Sequence, residues 1–446
     1  MHQAPPLRAA FLIAALAVAT SGAAQQPPVE KPVGTTGANG GANGESEKKG
    51  ESEKKEEQPA GFVAKTQAWA EKQQRRFSKF TKPMTDAGFS AEIGTLGQGS
   101  GLAAALQWRR ERLFGSPIDI ESSAGYSYRG YELYDVRFGR LRNFKQRTTL
   151  HSGDAHIATQ FDAYKEREPG FGLYGNVRYR HAPMNRYWGM GPDTPQDART
   201  SFTTRGASYE IVGEYQHSSF FGIGARGGIL DLEVAPGGDT KRPSTHLMFD
   251  DTTAPGLRRQ PAYAYAAVGT SFDTRDVPAL PRSGGLLGLL VCRFDAINTG
   301  PEDLSFNRVA LDGRYFVPAT SRSVIALRVL TLRDFPDSGG RVPFYMMQTL
   351  GGGDTLRGFE RARFTDSALI NFTAEYRFNV HKYVELAAFG DAGQVARGLT
   401  DFSLPDFQTS WGTGVRIKHK ESILFRADWA FSREGQRLIL SMGPVF

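Results

Sequence analysis

The sequence predicts an all-β fold, a transmembrane antiparallel β-barrel that follows a disordered N-terminal leader. Three observations predict it. The chain opens like an exported protein, it has no apolar run of 18 or more residues that would cross a bilayer as a helix, and from about residue 87 onward its polarity alternates with period two.

The N-terminus sets the compartment. Arg8 supplies a positive charge, Ala9 to Ala19 form a short apolar run, and Ser21-Gly22-Ala23-Ala24 offers small residues for cleavage. Residues 1–24 therefore read as a cleaved secretory signal peptide, with an apolar run too short to span a membrane. No Cys follows it to carry a lipoprotein anchor. The single Cys292 of the 446-residue chain excludes an intramolecular disulfide and a cysteine-based zinc site. A net charge of +7 suits the anionic headgroups of outer-membrane lipids, whereas an exported protein does not meet nucleic acid.

Residues 25–61 are low in complexity and contain GESEKK twice in tandem, at Gly44–Lys49 and Gly50–Lys55. So polar a segment cannot bury enough apolar surface to order itself, and it reads as a periplasmic leader. Within 62–86, Phe62 to Phe80 fits one short basic helix with Trp69, Phe77 and Phe80 on one side. A solvated transient helix fits equally well.

Residues 87–446 are the barrel. Ile118, Ile120, Ser122, Ala124, Tyr126 and Tyr128 alternate with Asp119, Glu121, Ser123, Gly125, Ser127 and Arg129. The same pattern sets Val309, Leu311, Gly313 and Tyr315 against Arg308, Ala310, Asp312 and Arg314. It sets Ile370, Phe372, Ala374, Tyr376 and Phe378 against Asn371, Thr373, Glu375 and Arg377. Ile423, Phe425, Ala427, Trp429 and Phe431 alternate likewise with Leu424, Arg426, Asp428 and Ala430. Successive side chains of a strand point to opposite faces, so each segment has one apolar and one polar face.

A soluble sandwich shows the same alternation, but three features favour a membrane barrel. Segments of about ten residues match a tilted strand crossing a bilayer. Aromatic residues cluster near strand ends as an interfacial girdle does (Tyr126, Tyr128, Tyr131 and Tyr134; Phe372, Tyr376 and Phe378). Charges recur on one face, as in a wet lumen. In lipid every backbone donor needs a partner, so the sheet closes. The final segment ends at Phe446, with Pro444, Met442, Leu440 and Leu438 behind it at alternate positions, the usual pattern of an outer-membrane sorting and assembly signal. Pro444 lacks an N–H and Gly443 lowers strand preference. The seam between Ala91–Leu96 and Gln436–Phe446 is therefore expected to open most easily, unless Pro444 only marks the periplasmic rim.

The most specific stretch is Gly351-Gly352-Gly353-Asp354-Thr355-Leu356-Arg357-Gly358-Phe359. It resembles the (V/L)RG(F/Y) signature of the BamA/TamA superfamily, the bacterial surface antigen family. Phe389-Gly390-Asp391-Ala392-Gly393 resembles that family's F-x-D-x-G motif. Asp273-Thr274-Arg275-Asp276, with Pro278, Pro281 and Gly284, resembles its strand-turn-strand element. Tyr187-Trp188-Gly189-Met190-Gly191-Pro192-Asp193 and Gly412-Thr413-Gly414-Val415-Arg416 resemble two further segments.

The likeness covers about Gly88 to Phe446 and implies 16 strands. It implies that Leu356-Arg357-Gly358-Phe359 forms the tip of a sixth extracellular loop folded into the lumen, where Arg357 pairs with Asp391. Glu375 and Asp428, on polar strand faces, are second-line partners. The departure lies upstream, where residues 25–88 leave no room for the POTRA modules of well-known members.

The resemblance implies assembly, insertion or translocation of polypeptide substrates at the outer membrane, with no cofactor. The alternative from another class is a passive pore or structural barrel that keeps the scaffold. An enzyme is not expected. Gly222 to Gly227 matches G-x-G-x-x-G, but its flanks read as strands rather than as strand and helix. No G-x-S-x-G elbow and no H-x-x-x-H pair occur, and no metal site is expected.

Overall fold

The computed structural model describes residues 84, 86–97, 99–141, 169–297, 303–419, 422–441 and 445–446. The expected signal peptide, leader and most of 62–86 lie outside them, as do Gly443 and Pro444. The chain divides into two units, Met1–Ser90 and Ala91–Phe446, and nearly all described residues belong to the second.

The strands are β1 (Phe89–Gly94), β2 (Ala103–Arg110), β3 (Asp119–Ser127), β4 (Glu132–Arg140), β5 (Gly170–Tyr187), β6 (Thr200–Gln216), β7 (Phe221–Pro236), β8 (Ala262–Asp273) and β9 (Gly284–Ile297). They continue with β10 (Phe306–Thr320), β11 (Ser323–Pro336), β12 (Gln348–Leu350), β13 (Phe364–Asp366), β14 (Ala368–His381), β15 (Val384–Ala396), β16 (Gln408–His419), β17 (Ser422–Ser432) and β18 (Gly435–Ser441). All but β12 and β13 form one 16-stranded sheet in chain order, and those two form a small ribbon of their own. The glycine-rich segment Gly222 to Gly227 lies inside β7.

The alternation of polarity becomes an alternation of environment. On β14, Asn371, Thr373, Glu375 and Arg377 are buried, while Phe372, Tyr376 and Phe378 face outward. On β10, Arg308 and Ala310 are buried on the same inner side as Asp312 and Arg314, with Tyr315 outward. Leu287, Leu289 and Val291 continue the outer apolar face on β9. Charge inside and hydrocarbon outside is the inverse of a soluble protein and fits a wall with lipid against its outer face.

Three of the expected faces come out otherwise among the described residues. The pairing of β16 with β17 shifts between Ile417 and Lys418, because Leu424 is bulged out of the ladder. The bulge turns Ile423 to the buried face and leaves Leu424 exposed, contrary to the simple alternation. The hairpin turn through Gly130, whose φ is +79°, directs Tyr131 inward, so only Tyr126, Tyr128 and Tyr134 of the expected group stay outside. Phe446 is also buried, although Leu438 and Leu440 face outward.

Strand lengths depart from a uniform ten residues. β5, β6 and β7 have 18, 17 and 16 residues, whereas β1, β2 and β18 have 6, 8 and 7. A tilted strand needs about 9–11 residues to cross a bilayer, so the long strands project beyond it. Their projecting part carries an exposed outer-face ion pair, Arg205 to Glu233 at 2.6 Å, which is incompatible with lipid tails.

Antiparallel succession puts connections alternately at two rims. One rim carries short turns, such as Ser321-Arg322 and Lys382-Tyr383. The other carries 237–261 and 337–367, and the latter is the sixth connection on that rim. Both long loops contribute to the main apolar core, where Phe344, Met346, Leu350, Leu356, Phe359 and Phe364 meet Tyr187, Phe202, Phe294 and Phe306 of the wall.

Val291→Arg puts a charge in the middle of the outer face of β9 and should destabilise the membrane-inserted protein by about 2–4 kcal/mol. Arg205→Ala, at the projecting end, should cost far less, because an exposed ion pair is screened by solvent. Urea unfolding in liposomes, followed by the migration of unboiled samples on gels, measures both; equal losses would remove the membrane boundary placed between them.

Candidate functional site

The loop 337–367 enters the barrel over a charged foothold. Arg308, fully buried on β10, donates from Nε and Nη2 to the Asp334 carboxylate at 2.6 and 3.0 Å and also reaches the Met346 carbonyl. Gln348 donates to the same carboxylate at 2.9 Å. β12 and β13 then pair, and between them runs the glycine-rich tip.

The tip is shaped by close approach. Gly351 and Gly352 have φ of +116° and +99°, a region that favours glycine. A Cβ on Gly351 would lie 2.2 Å from the Glu360 carbonyl oxygen, and one on Gly358 2.7 Å from the Phe431 carbonyl oxygen. Gly353 faces Ile439 of β18, where a Cβ would stand 3.3 Å away. Leu356 and Phe359 are buried in the apolar core, with the Phe359 ring 5.3 Å from Phe364.

Between those two apolar anchors Arg357 points into the wall and is fully buried. Its Nε and Nη2 donate to Asp391 of β15 at 3.0 and 2.7 Å, and its backbone N–H donates to the same carboxylate at 3.2 Å. Nη1 donates to Glu375 of β14 at 2.8 Å and lies 3.6 Å from Asp428 of β17. The guanidinium stacks on the Phe389 ring, 3.3 Å from its centroid. Ser410 adds a hydroxyl donor to Asp391 at 3.0 Å. Burial alone would lower the Arg357 pKa, but the charge and hydrogen bonds of Asp391, then the charge of Glu375, outweigh it and hold the pKa above its ordinary value.

Phe389, Asp391 and Gly393 of the second motif therefore each have a physical role. Phe389 gives a ring to stack, Asp391 a carboxylate to accept, and Gly393 room for the loop. A Cβ on Gly393 would meet the Ile370 carbonyl oxygen at 2.9 Å and Leu350 at 3.1 Å. Gly412 and Gly414 give room to the wall residues around Arg357, since a Cβ there would fall 2.6 Å from Phe389 and 2.0 Å from Asp428.

Three arginines not singled out from the sequence complete the charge balance. Arg377 and Arg416 donate to Glu375 at 2.6 and 2.7 Å, and Arg426 lies 3.3 Å from Asp428. Their presence on the polar face was readable, but their convergence depends on register between strands far apart in sequence. Past the tip, the Glu360 carboxylate receives Arg186 at 2.9 Å and Arg199 at 3.1 Å. Arg363 pairs with Glu434, in the β17–β18 turn, at 2.8 Å and donates to the Thr194 carbonyl at 2.6 Å. Ser432 donates to the Gly358 carbonyl at 2.8 Å.

The other motifs sit around this loop or at the opposite rim. The segment from Tyr187 to Asp193 covers the loop: Gly191 donates its N–H to Thr365 of β13 at 2.9 Å. Asp273 and Arg275 pair at 2.8 Å in the β8–β9 connection, while the Asp276 carboxylate accepts backbone N–H bonds from Val277, Arg282 and Ser283. Phe446 packs on inner-wall residues of β10 and β11. Among the described residues no cluster of His, Cys, Asp and Glu is arranged to hold a metal ion.

These features define a membrane-spanning antiparallel barrel whose lumen is occupied by its own sixth loop. Residues 261–443 match the Omp85 superfamily domain, and over those residues the barrel resembles that superfamily. Among solved structures it is similar to BamA from Haemophilus ducreyi lacking POTRA domains 1–3, with 16% identity, 80% of this chain and 70% of that chain covered, and a TM-score of 0.49. It is also similar to CdiB from Escherichia coli, with 12% identity, 80% of this chain covered and a TM-score of 0.46. CdiB from Acinetobacter baumannii gives 10% identity, the same 80% and a TM-score of 0.42. The chain spans 59% of the length of each CdiB. No curated protein matches it.

Arg357→Ala and Asp391→Ala each strand a charge in a buried site, which typically costs about 3–5 kcal/mol. Each should expose the loop to protease, and the double variant should be little worse than either. Denaturant unfolding and limited proteolysis measure this, and additive losses would show that the two side chains do not act as a pair.

Proposed function

We propose that the protein is an outer-membrane barrel, exported with a cleaved signal peptide, that inserts or translocates polypeptides without nucleotide or cofactor. The substrate chain engages the seam between β1 and β18, and the loop carrying Arg357 is the lock that holds the lumen closed. The single observation that carries this reading is the strand lengths: the two ends of the sheet, at 6 and 7 residues, are shorter than every other barrel strand. Short strands share few ladder hydrogen bonds, so the seam is where an exposed edge is least costly to create. The loop is tied to that same place through Arg363–Glu434 and Ser432–Gly358, beside β18. Gly443 and Pro444 belong to this proposal through their chemistry alone, as does Phe446 as an assembly signal.

With Cys292 replaced by Ser, cysteines on β1 and on β18 should allow the seam to be closed by a disulfide. The oxidised protein, reconstituted in liposomes, should stay folded but lose assisted insertion of a second barrel protein, and reduction should restore it. Unchanged insertion in the oxidised protein would rule out the seam and favour a passive pore, which conductance of the same liposomes would register.

A further inference from the structure

Beside the Arg357 lock, toward the short-turn rim, the inner wall gathers more positive charge than it neutralises. Arg357, Arg377, Arg416 and Arg426 are at most 2% exposed, and the carboxylates that meet them, Glu375, Asp391 and Asp428, are buried too. Four guanidiniums thus face three carboxylates, which leaves one positive charge over. The adjoining pair of Lys418 with Glu385, at 3.3 Å, is balanced and does not change that excess. Asp312 already has Arg314 and Arg328 against it and brings no negative charge to spare. Arg416 of β16 stands directly opposite Arg426 of β17 in the ladder, and like charges so placed destabilise a sheet.

The same arginines keep donors in reserve. Arg377 bonds Glu375 through Nε alone, and both its Nη1 and Nη2 lack a hydrogen-bond partner among the described residues. Nη1 of Arg416 and Nη1 of Arg426 lack one as well. The row of the sheet that runs from Arg377 across β15 and β16 to Asp428 holds only Ala387 and Gly414 between them. These small residues leave a floor over which the longer side chains fold: a Cβ on Gly414 would lie 3.0 Å from Arg416 Nη1 and would strike Asp428. Water can accept a bond from a buried N–H, but only an anion also cancels the surplus charge.

We propose that this part of the inner wall is a binding site for a small inorganic oxyanion of the phosphate class, held by Arg377, Arg416 and Arg426. The free edge of Arg377, with its two Nη groups side by side, matches a pair of oxyanion oxygens, a fit that a halide does not offer. The groups lie on the inner face, away from the outer apolar face, so the ligand is the free ion rather than a lipid headgroup. Bound there, it offsets the repulsion between Arg416 and Arg426 and strengthens the footing of the loop. Arg377 and Arg416 share Glu375 with Arg357, and Arg426 Nη2 donates to the Gly353 carbonyl at 3.4 Å. The site belongs to the resting barrel and does not depend on what the barrel handles.

The full-length protein in detergent micelles is titrated with sodium phosphate near neutral pH, with sodium gluconate holding the ionic strength constant. The thermal unfolding midpoint, followed by gel migration of unboiled samples, should rise saturably by about 5 °C, and protease should cut the loop 337–367 roughly tenfold more slowly. Sodium chloride in place of phosphate should give no saturable rise, and neither should phosphatidylglycerol added to the micelles. Arg426→Gln removes the surplus charge and Arg377→Gln removes the fork, and each should lose the response to phosphate. A midpoint that phosphate leaves unmoved, or raises without saturating, overturns the proposal, as does an undiminished response in either variant. An equal response to chloride overturns the assignment to an oxyanion, and a response to the lipid alone overturns the free ion. If a variant does not fold, the phosphate, chloride and lipid titrations of the unaltered protein decide the matter.

Discussion

A guanidinium removed from water has to be matched almost group for group, and the architecture around the sixth loop follows from that requirement at Arg357. Two carboxylates accept its donors, a third lies beside it, and an aromatic ring covers its face. They come from β15, β14, β17 and β15 in turn, so those strands must keep one register if the charge is to be neutralised. Glu375 and Asp428 in turn need further cations, which Arg377, Arg416 and Arg426 provide. The glycines are the steric counterpart: a side chain at 358 or 393 would push the loop from the wall, one at 351 would strike the loop itself, and one at 412 or 414 would strike the wall residues that hold Arg357.

The wall answers to two solvents. Outside, Leu287, Leu289 and Val291 meet hydrocarbon; inside, charges are buried against one another and against the loop. A soluble protein can bury an irregular segment only by satisfying its backbone, and the lumen imposes the same rule on the loop. That is why the loop carries its own β12–β13 ribbon and borrows Gly191 as a third partner.

Much of this was legible in the sequence, because a period of two assigns faces without knowledge of neighbours. Arg308, Glu375, Arg377 and Asp428 stand on the inner face that their alternation gives them. The pattern fails at the Leu424 bulge, in the turn before Tyr131, and at Phe446, which is buried. None of these is encoded in polarity. The meeting of Arg357 with Asp391 could be anticipated only from likeness to a family motif. The roles of Arg377, Arg416 and Arg426 could not, because an arginine on a polar strand face looks the same whether it meets a carboxylate across the barrel or only water. The foothold of Arg308 on Asp334 and Gln348 was invisible for the same reason.

The side-chain acceptors of Arg357 all follow it in the chain, at positions 375, 391 and 428. As the protein assembles, the arginine therefore exists before anything that can neutralise it. Contacts of long sequence separation form late because their loop-closure entropy must be met first. The loop can settle only after β14, β15 and β17 have joined the wall; until then its guanidinium stays hydrated. Docking of the sixth loop is thus a record of completion: a barrel halted before β17 has not yet acquired the last of these three carboxylates.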